Sequence, residues 1–206
     1  ASKSIKIENV INPEIIKNKK VFVIGSSWKD DEEIILPVIN KLPEYGESLL
    51  TVLVPHEPKE TKILAIENNL KSNYEKLKSI RLSRIENYSG ENLVIVDSIG
   101  KLMSLYSAAY IAYVGGGFRT GLHNVLEPAI FNIPVFFAND VKNSDEEEIL
   151  VEKGCGILVN TRDRFYRDMR KLITDKDYYQ KVSDSCKLVF SDTLGTTKKI
   201  VENLIN

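Results

Sequence analysis

The residues best suited to chemistry stand close together in this sequence. Gly115-Gly116-Gly117 is followed within a few positions by His123, Asn124 and Glu127. Consecutive glycines let a backbone turn sharply and let a ligand approach the chain closely. Asn124 is a good helix N-cap, which puts Glu127 in the first turn of the helix it starts. Free amides at such a junction carry a partial positive charge, worth about 0.3–1 kcal/mol per nearby negative charge. A phosphate fits there. Glu127 does not fit a phosphate, because like charges repel. It fits a diol, whose two hydroxyls both donate to one carboxylate. Phosphate plus diol points to a nucleotide or a nucleotide sugar. A plainer account stands beside this one: glycine loops join strands to helices in many α/β proteins, and Glu127 could simply offset its helix dipole.

The flanking stretches must position these residues. Residues 109–114 and 133–137 are apolar and rich in aromatic and β-branched side chains, as buried strands are. A helix is expected over 125–131. Upstream, 20–25 reads as a strand, followed by Ser26-Ser27-Trp28, four acids and an apolar-periodic helix over 34–42. Ser26, Ser27 or Asp30 could cap that helix. Further strands are expected at 49–54, 92–96 and 157–159, with a short edge strand within 72–89. Helices are expected at 59–71, 101–108, 146–153, 162–174, 178–190 and 196–205, the last two parted by Gly195. The alternation predicts an α/β fold, a doubly wound parallel sheet of about six strands with C-terminal helices. Residues 1–19 are polar and read as a linker; the domain is expected over 20–206. The loops at 25–31, 54–58, 97–100 and 115–124 all follow strands. They therefore share the carboxyl edge of the sheet, where open α/β sheets bind ligands. Pro55 and Pro58 stiffen the turn that holds His56 and Glu57.

The bulk properties exclude several classes. The chain is 43% hydrophobic and 28% charged, which is ordinary for a globular domain. A net charge of −1 leaves no electrostatic footprint for nucleic acid. The apolar run near 102–114 contains Ser104 and Ser107 and is too short to span a bilayer. No signal-peptide pattern is expected. Cys155 and Cys186 match no metal or redox spacing and are expected to be reduced, in a cytosolic setting. The acids at 145–148 are expected to form a solvated helix start, and Trp28 to lie in the core or at a domain interface.

Taken in order, Gly25-Ser26-Ser27, residues 54–58 (VPHEP), 97–102 (DSIGKL), 113–117 (YVGGG) and 123–129 (HNVLEPA) resemble the C-terminal half of 3-deoxy-D-manno-octulosonic acid (Kdo) transferase. The resemblance runs from about residue 20 to the end. It implies the donor-binding half of a GT-B fold, with CMP-Kdo as donor and a lipid A precursor of lipopolysaccharide synthesis as acceptor. It implies an inverting transfer with no metal and no cofactor. The general base is implied to lie in an N-terminal acceptor domain outside this chain, so no catalytic residue is expected here and the piece alone is expected to be inactive. The full-length enzyme is implied to work at the cytoplasmic face of the inner membrane, this piece being soluble.

By the same resemblance, Glu127 takes the ribose hydroxyls and Asn124 lies by the phosphate or sugar. Gly115 and Gly116, with Gly117, form the Gly-Gly turn. Gly25 and Ser26, with Ser27, match the first Gly-Ser loop, and Gly100, with Ile99, meets the base through its backbone. There are departures. His56 and Glu57 stand where the family often has Arg and His. Lys101 replaces a Glu, Val125 a Pro, and Gly117-Phe118 a Ser-Leu pair. His56 then substitutes in part for the missing arginine, with Arg119 as a further candidate cation; His123 either meets ligand or orients the loop. The apolar side of the last helix (Ile200, Val201, Leu204, Ile205) is expected to pack on the other domain. The alternatives are another GT-B enzyme using a UDP-sugar (a transferase or an epimerase) and a non-catalytic nucleotide-binding α/β domain. Asp30-Asp31 faintly suggests a phospho-accepting receiver, but the chain is too long and lacks the matching lysine motif.

Overall fold

The computed structural model describes residues 10–42, 48–118, 121, 123–138 and 145–205, with side chains as far as residue 190. Seven strands, β1 (Lys20–Ser27), β2 (Leu49–Pro55), β3 (Ser79–Arg81), β4 (Leu93–Ile95), β5 (Ile111–Val114), β6 (Val135–Phe137) and β7 (Gly156–Leu158), form one sheet. Their order is β3-β4-β2-β1-β5-β6-β7, and every pair is parallel. The helices are α1 (Pro13–Ile16), α2 (Lys29–Lys41), α3 (Glu60–Asn73), α4 (Leu102–Ser107), α5 (Leu126–Ala129), α6 (Asp145–Lys153), α7 (Arg162–Thr174) and α8 (Lys176–Ile205).

The central strands read as unbroken apolar runs because helices cover both faces. Successive side chains point to opposite faces. Phe22 and Ile24 of β1 join a cluster with α2, α3 and α7, while Val21 and Val23 join one with Leu105 and Tyr106 of α4. A third cluster sets α5 and β6 against α6 and α8.

The sheet has seven strands, close to the six expected, and its edge is β3, the short strand expected within 72–89: three half-buried residues whose Arg81 bridges Glu60 and Glu67 of α3 at 2.8 Å each. Charge of this kind blunts an exposed sheet edge. Three expectations are corrected. The last two helices are one. Asp175 accepts a hydrogen bond from the Tyr178 amide and starts α8, which then runs through Gly195. A lone glycine costs a helix about 1 kcal/mol and removes no hydrogen bond, so it need not end one. The acidic start of α6 is not wholly solvated, because Glu147 is buried. Cys155 and Cys186 are joined by a disulfide, their Cα atoms 4.8 Å apart. They are 31 residues apart in sequence, and only the return of α8 across the approach to β7 brings them together.

Upstream of β1, residues 10–19 include α1, and Ile11 is buried against the Val21 side of the sheet. The packed region thus begins before residue 20. No helix among the described residues is long and apolar enough to cross a membrane.

Candidate functional site

The carboxyl ends of β1 and β5 meet at a junction held by one buried acid. Asp31, only 1% exposed, lies in the first turn of α2. It accepts hydrogen bonds from Tyr113 Oη at 2.7 Å, Gly116 N at 3.0 Å and Trp28 N at 2.9 Å. One carboxylate therefore ties α2, β5 and the glycine loop together. Burial pushes its carboxyl up, while these hydrogen bonds pull it down. Gly115 donates to Gly25 O at 2.9 Å, and the His123 amide reaches Gly115 O at 3.3 Å, closing the loop.

The glycines here are imposed by packing. A Cβ on Gly115 would lie 2.4 Å from Ser26 O, and one on Gly25 would lie 1.9 Å from Tyr106 Oη. Ser26 itself sits at φ +52°, where L-residues other than Asn and Asp are uncommon, beside an irregularity in the β1–β2 register. Backbone strain of this kind gathers at functional sites.

Three rings cross the carboxyl edge above this junction. Trp28 stacks on His56 with centroids 4.4 Å apart, and His56 stacks on His123 at 4.6 Å. Burial, and then the neighbouring His56, hold the His123 pKa below its usual value. His123 is therefore neutral at pH 7, a hydrogen-bonding group rather than a cation. Its Nε2 and Trp28 Nε1 are both buried without a hydrogen-bond partner among the described residues. Such orphaned polar atoms at a sheet edge are points where a ligand or water is wanted.

On the α4–α5 side lie the other predicted residues. Asn124 is not the N-cap of α5, which is Val125; it lies one residue earlier, and its Oδ1 accepts from Leu126 N, the first amide of the helix, at 3.0 Å. Glu127 follows in that single turn, and burial raises its carboxyl pKa. Its charge acts on the buried Tyr106, whose hydroxyl lies close to Gly25. Gly100 has φ +77° with open space where a Cβ would sit, and Ile99 beside it is 82% exposed.

The structure thus gathers Gly25, Ser26, Ser27, His56, Gly115, Gly116, Gly117, His123, Asn124 and Glu127 along one edge, with Ile99 and Gly100 on the same edge. It also shows which amides are already used. Those of Gly115, Gly116 and Leu126 have protein acceptors, whereas the Gly117 N–H has none among the described residues. Arg119 and the side chains of 196–205 lie outside the described residues. Sequence reasoning passed over Asp31, Tyr106, Tyr113 and Glu32. For Asp31 a signal existed: an acid three residues past a strand-to-helix junction, the place from which a side chain reaches back to the N-cap amide. No group of three or more His, Cys, Asp or Glu residues that could hold a metal ion occurs among the described residues.

A parallel, doubly covered sheet with all candidate loops at its carboxyl edge defines the class: a Rossmann-like domain of the GT-B type. Its fold matches the C-terminal CMP-Kdo binding domain of WaaA from Acinetobacter baumannii with a TM-score of 0.72 at 20% identity, covering 85% of this chain and 91% of that one. By sequence the chain is similar to the 3-deoxy-D-manno-octulosonic acid transferase family. It is 30% identical to the member from Rickettsia typhi over 159 residues, 77% of this chain and 34% of that protein. It is also 31% identical to a bifunctional glycosyltransferase/methyltransferase from Fusobacterium nucleatum over 195 residues, 92% of this chain and 29% of that protein. The chain spans about a third of the length of the curated relatives it matches. No protein-family model matches it.

Proposed function

We propose that this domain binds CMP-Kdo, as the donor-holding part of an enzyme that transfers Kdo to a lipid A precursor. The observation that carries the reading is the placement of Glu127. It is a half-buried carboxylate three residues past Asn124, in the single turn that follows the glycine loop, in a chain whose relatives are named Kdo transferases. In this reading Glu127 accepts from both ribose hydroxyls. The backbone at Ile99 and Gly100 meets the cytosine, and Ser26, Ser27 and Asn124 flank the phosphate and sugar.

As the glycosidic C–O bond breaks, negative charge gathers on the CMP phosphate. Fixed donors stabilise such charge without reorganising, at a magnitude of about 3 kcal/mol per well-placed group. Gly117 N–H is the loop amide open to this role, with His123 as a neutral hydrogen-bonding group and His56 or Arg119 as the candidate cation. The reading assigns no metal and no cofactor to the reaction. The acceptor site and general base belong to a second domain, at the cytoplasmic face of the inner membrane, so this chain by itself binds donor without transferring sugar.

Equilibrium binding of CMP, UMP and AMP to this chain tests the reading. CMP is expected to bind at least tenfold tighter than the other two, and Glu127→Ala to lose at least tenfold in CMP affinity with the melting temperature unchanged. Preference for UMP would assign the domain to a UDP-sugar enzyme instead.

A further inference from the structure

A cavity of about 520 Å³ opens between α2 and α3. Helices α2 and α3 pack on the Phe22–Ile24 side of the sheet, whereas α4, next to Glu127, packs on the other. The volume falls within the range of small-molecule sites, roughly 300–1,000 Å³. Pro55, Ile66 and Tyr74 line it with apolar surface, and Trp28, Glu32 and Lys62 also border it.

Glu32 is the group whose chemistry is incomplete. Its Oε1 accepts a hydrogen bond from Ser27 Oγ at 3.0 Å, and the described residues offer Oε2 no donor. Lys62, the cation whose charge reaches it, is engaged elsewhere: its Nζ lies 2.9 Å from Glu57 and 5.0 Å from the centre of the Trp28 ring. Lys29 is bridged to Glu33 at 3.7 Å. Asp31 is held by Tyr113 and Gly116, His56 is stacked against Trp28, and Arg162 of α7 acts on Tyr74 at the wall. Burial pushes the Glu32 carboxyl up to about 7; Ser27 and Lys62 oppose the shift, and Asp31 and Glu33 add to it. A half-buried carboxylate without an ion-pair partner gains from a cation that joins it.

We propose that this cavity is a binding site for a small organic cation, an ammonium group on an apolar body. The ammonium pairs with Glu32 Oε2, and the body lies against Pro55, Ile66 and Tyr74. The site borders the proposed donor site at Ser27, whose Oγ donates to Glu32, and does not rest on it. Binding requires Glu32 ionised, so it releases a proton near neutral pH. With the carboxyl at about 7 in the free protein, affinity should rise roughly tenfold between pH 6 and pH 8.

The test is an NMR titration of this chain with phenethylamine, using phenethyl alcohol as the neutral control. Saturable shifts at the Trp28 indole and the Asn69 and Lys62 amides are expected with the amine, with at least tenfold weaker binding of the alcohol. Glu32→Gln should lose at least tenfold in amine affinity. Measured at pH 9, where Glu32 is ionised in both proteins, Lys62→Met should gain several-fold, because it removes a neighbouring cation that repels the ammonium. Equal affinity for amine and alcohol, or full amine affinity in Glu32→Gln, overturns the proposal. Should Glu32→Gln fail to fold, a flat pH profile or a loss of affinity in Lys62→Met overturns it equally.

Discussion

The β1–β5 junction and the β4–α4 turn share one edge of one sheet, and they are built in opposite ways. At the junction Gly25, Gly115 and Gly117 are each fixed by a neighbour, the Gly115 and Gly116 amides have acceptors, and Asp31 binds three segments at once. At the turn, Gly100 adjoins open space and Ile99 is 82% exposed. Asp97 ties only the turn's start, through the amide and hydroxyl of Ser83. The junction behaves as scaffold: it sets the positions of Ser26, Gly117 and His123 before any ligand arrives. The turn keeps an apolar side chain and a freely approached backbone in reserve. A large exposed hydrophobic residue at the ligand-binding edge of a sheet is suited to cover a ligand or another domain.

Substitutions should separate the two regions sharply. The largest effect is expected at Gly117→Ala, whose Cβ would lie 1.7 Å from Ala138 O, a backbone atom that cannot step aside. We expect a loss of more than ~3 kcal/mol, or no folded protein, measured by urea unfolding. Asp31→Ala should cost about 2–4 kcal/mol, because it removes the buried acceptor shared by the Tyr113 hydroxyl and two backbone amides. A loss under 1 kcal/mol would mean the junction is not the scaffold described. Gly100→Ala meets no clash but must hold φ +77°, so a loss of about 1 kcal/mol is expected from strain alone. Ile99→Ala should change stability by less than ~0.5 kcal/mol while weakening nucleotide binding several-fold. If it unfolds the protein instead, the turn is not in reserve.

The pH dependence sharpens the same division. Glu32 has its carboxyl raised from 4.5 to about 7 in the folded protein. The folded state then binds this proton more tightly than the unfolded one. Its contribution to stability is complete below pH 4.5 and is lost as pH rises to about 7. Melting temperatures of Glu32→Gln and the parent should therefore differ more in favour of the variant at pH 8 than at pH 4.5.

Much of this was legible from residue types alone. The alternation of apolar strands and helices gave the doubly wound sheet, and the order of short motifs gave the carboxyl-edge loops that gather Gly25, His56, Gly115 and Glu127. What stayed hidden depends on distant contacts. Nothing local marks Asp31 as the buried partner of Tyr113, 82 residues away. Tyr106 reads as one more core aromatic until it fills the space under Gly25. The amides expected for phosphate at Gly115 and Gly116 are taken by Gly25 O and Asp31, which only the assembled loop reveals. The disulfide and the unbroken α8 were missed for the same reason: spacing and a lone glycine carry no signal about what lies opposite.

The most direct test of the account is an amide shift map of this chain on adding CMP. Shifts are expected at Gly100, Gly117, Asn124 and Glu127, with Asn69 and Lys62 unmoved. Shifts confined to the α2–α3 cavity, with Gly100 and Glu127 still, would contradict it.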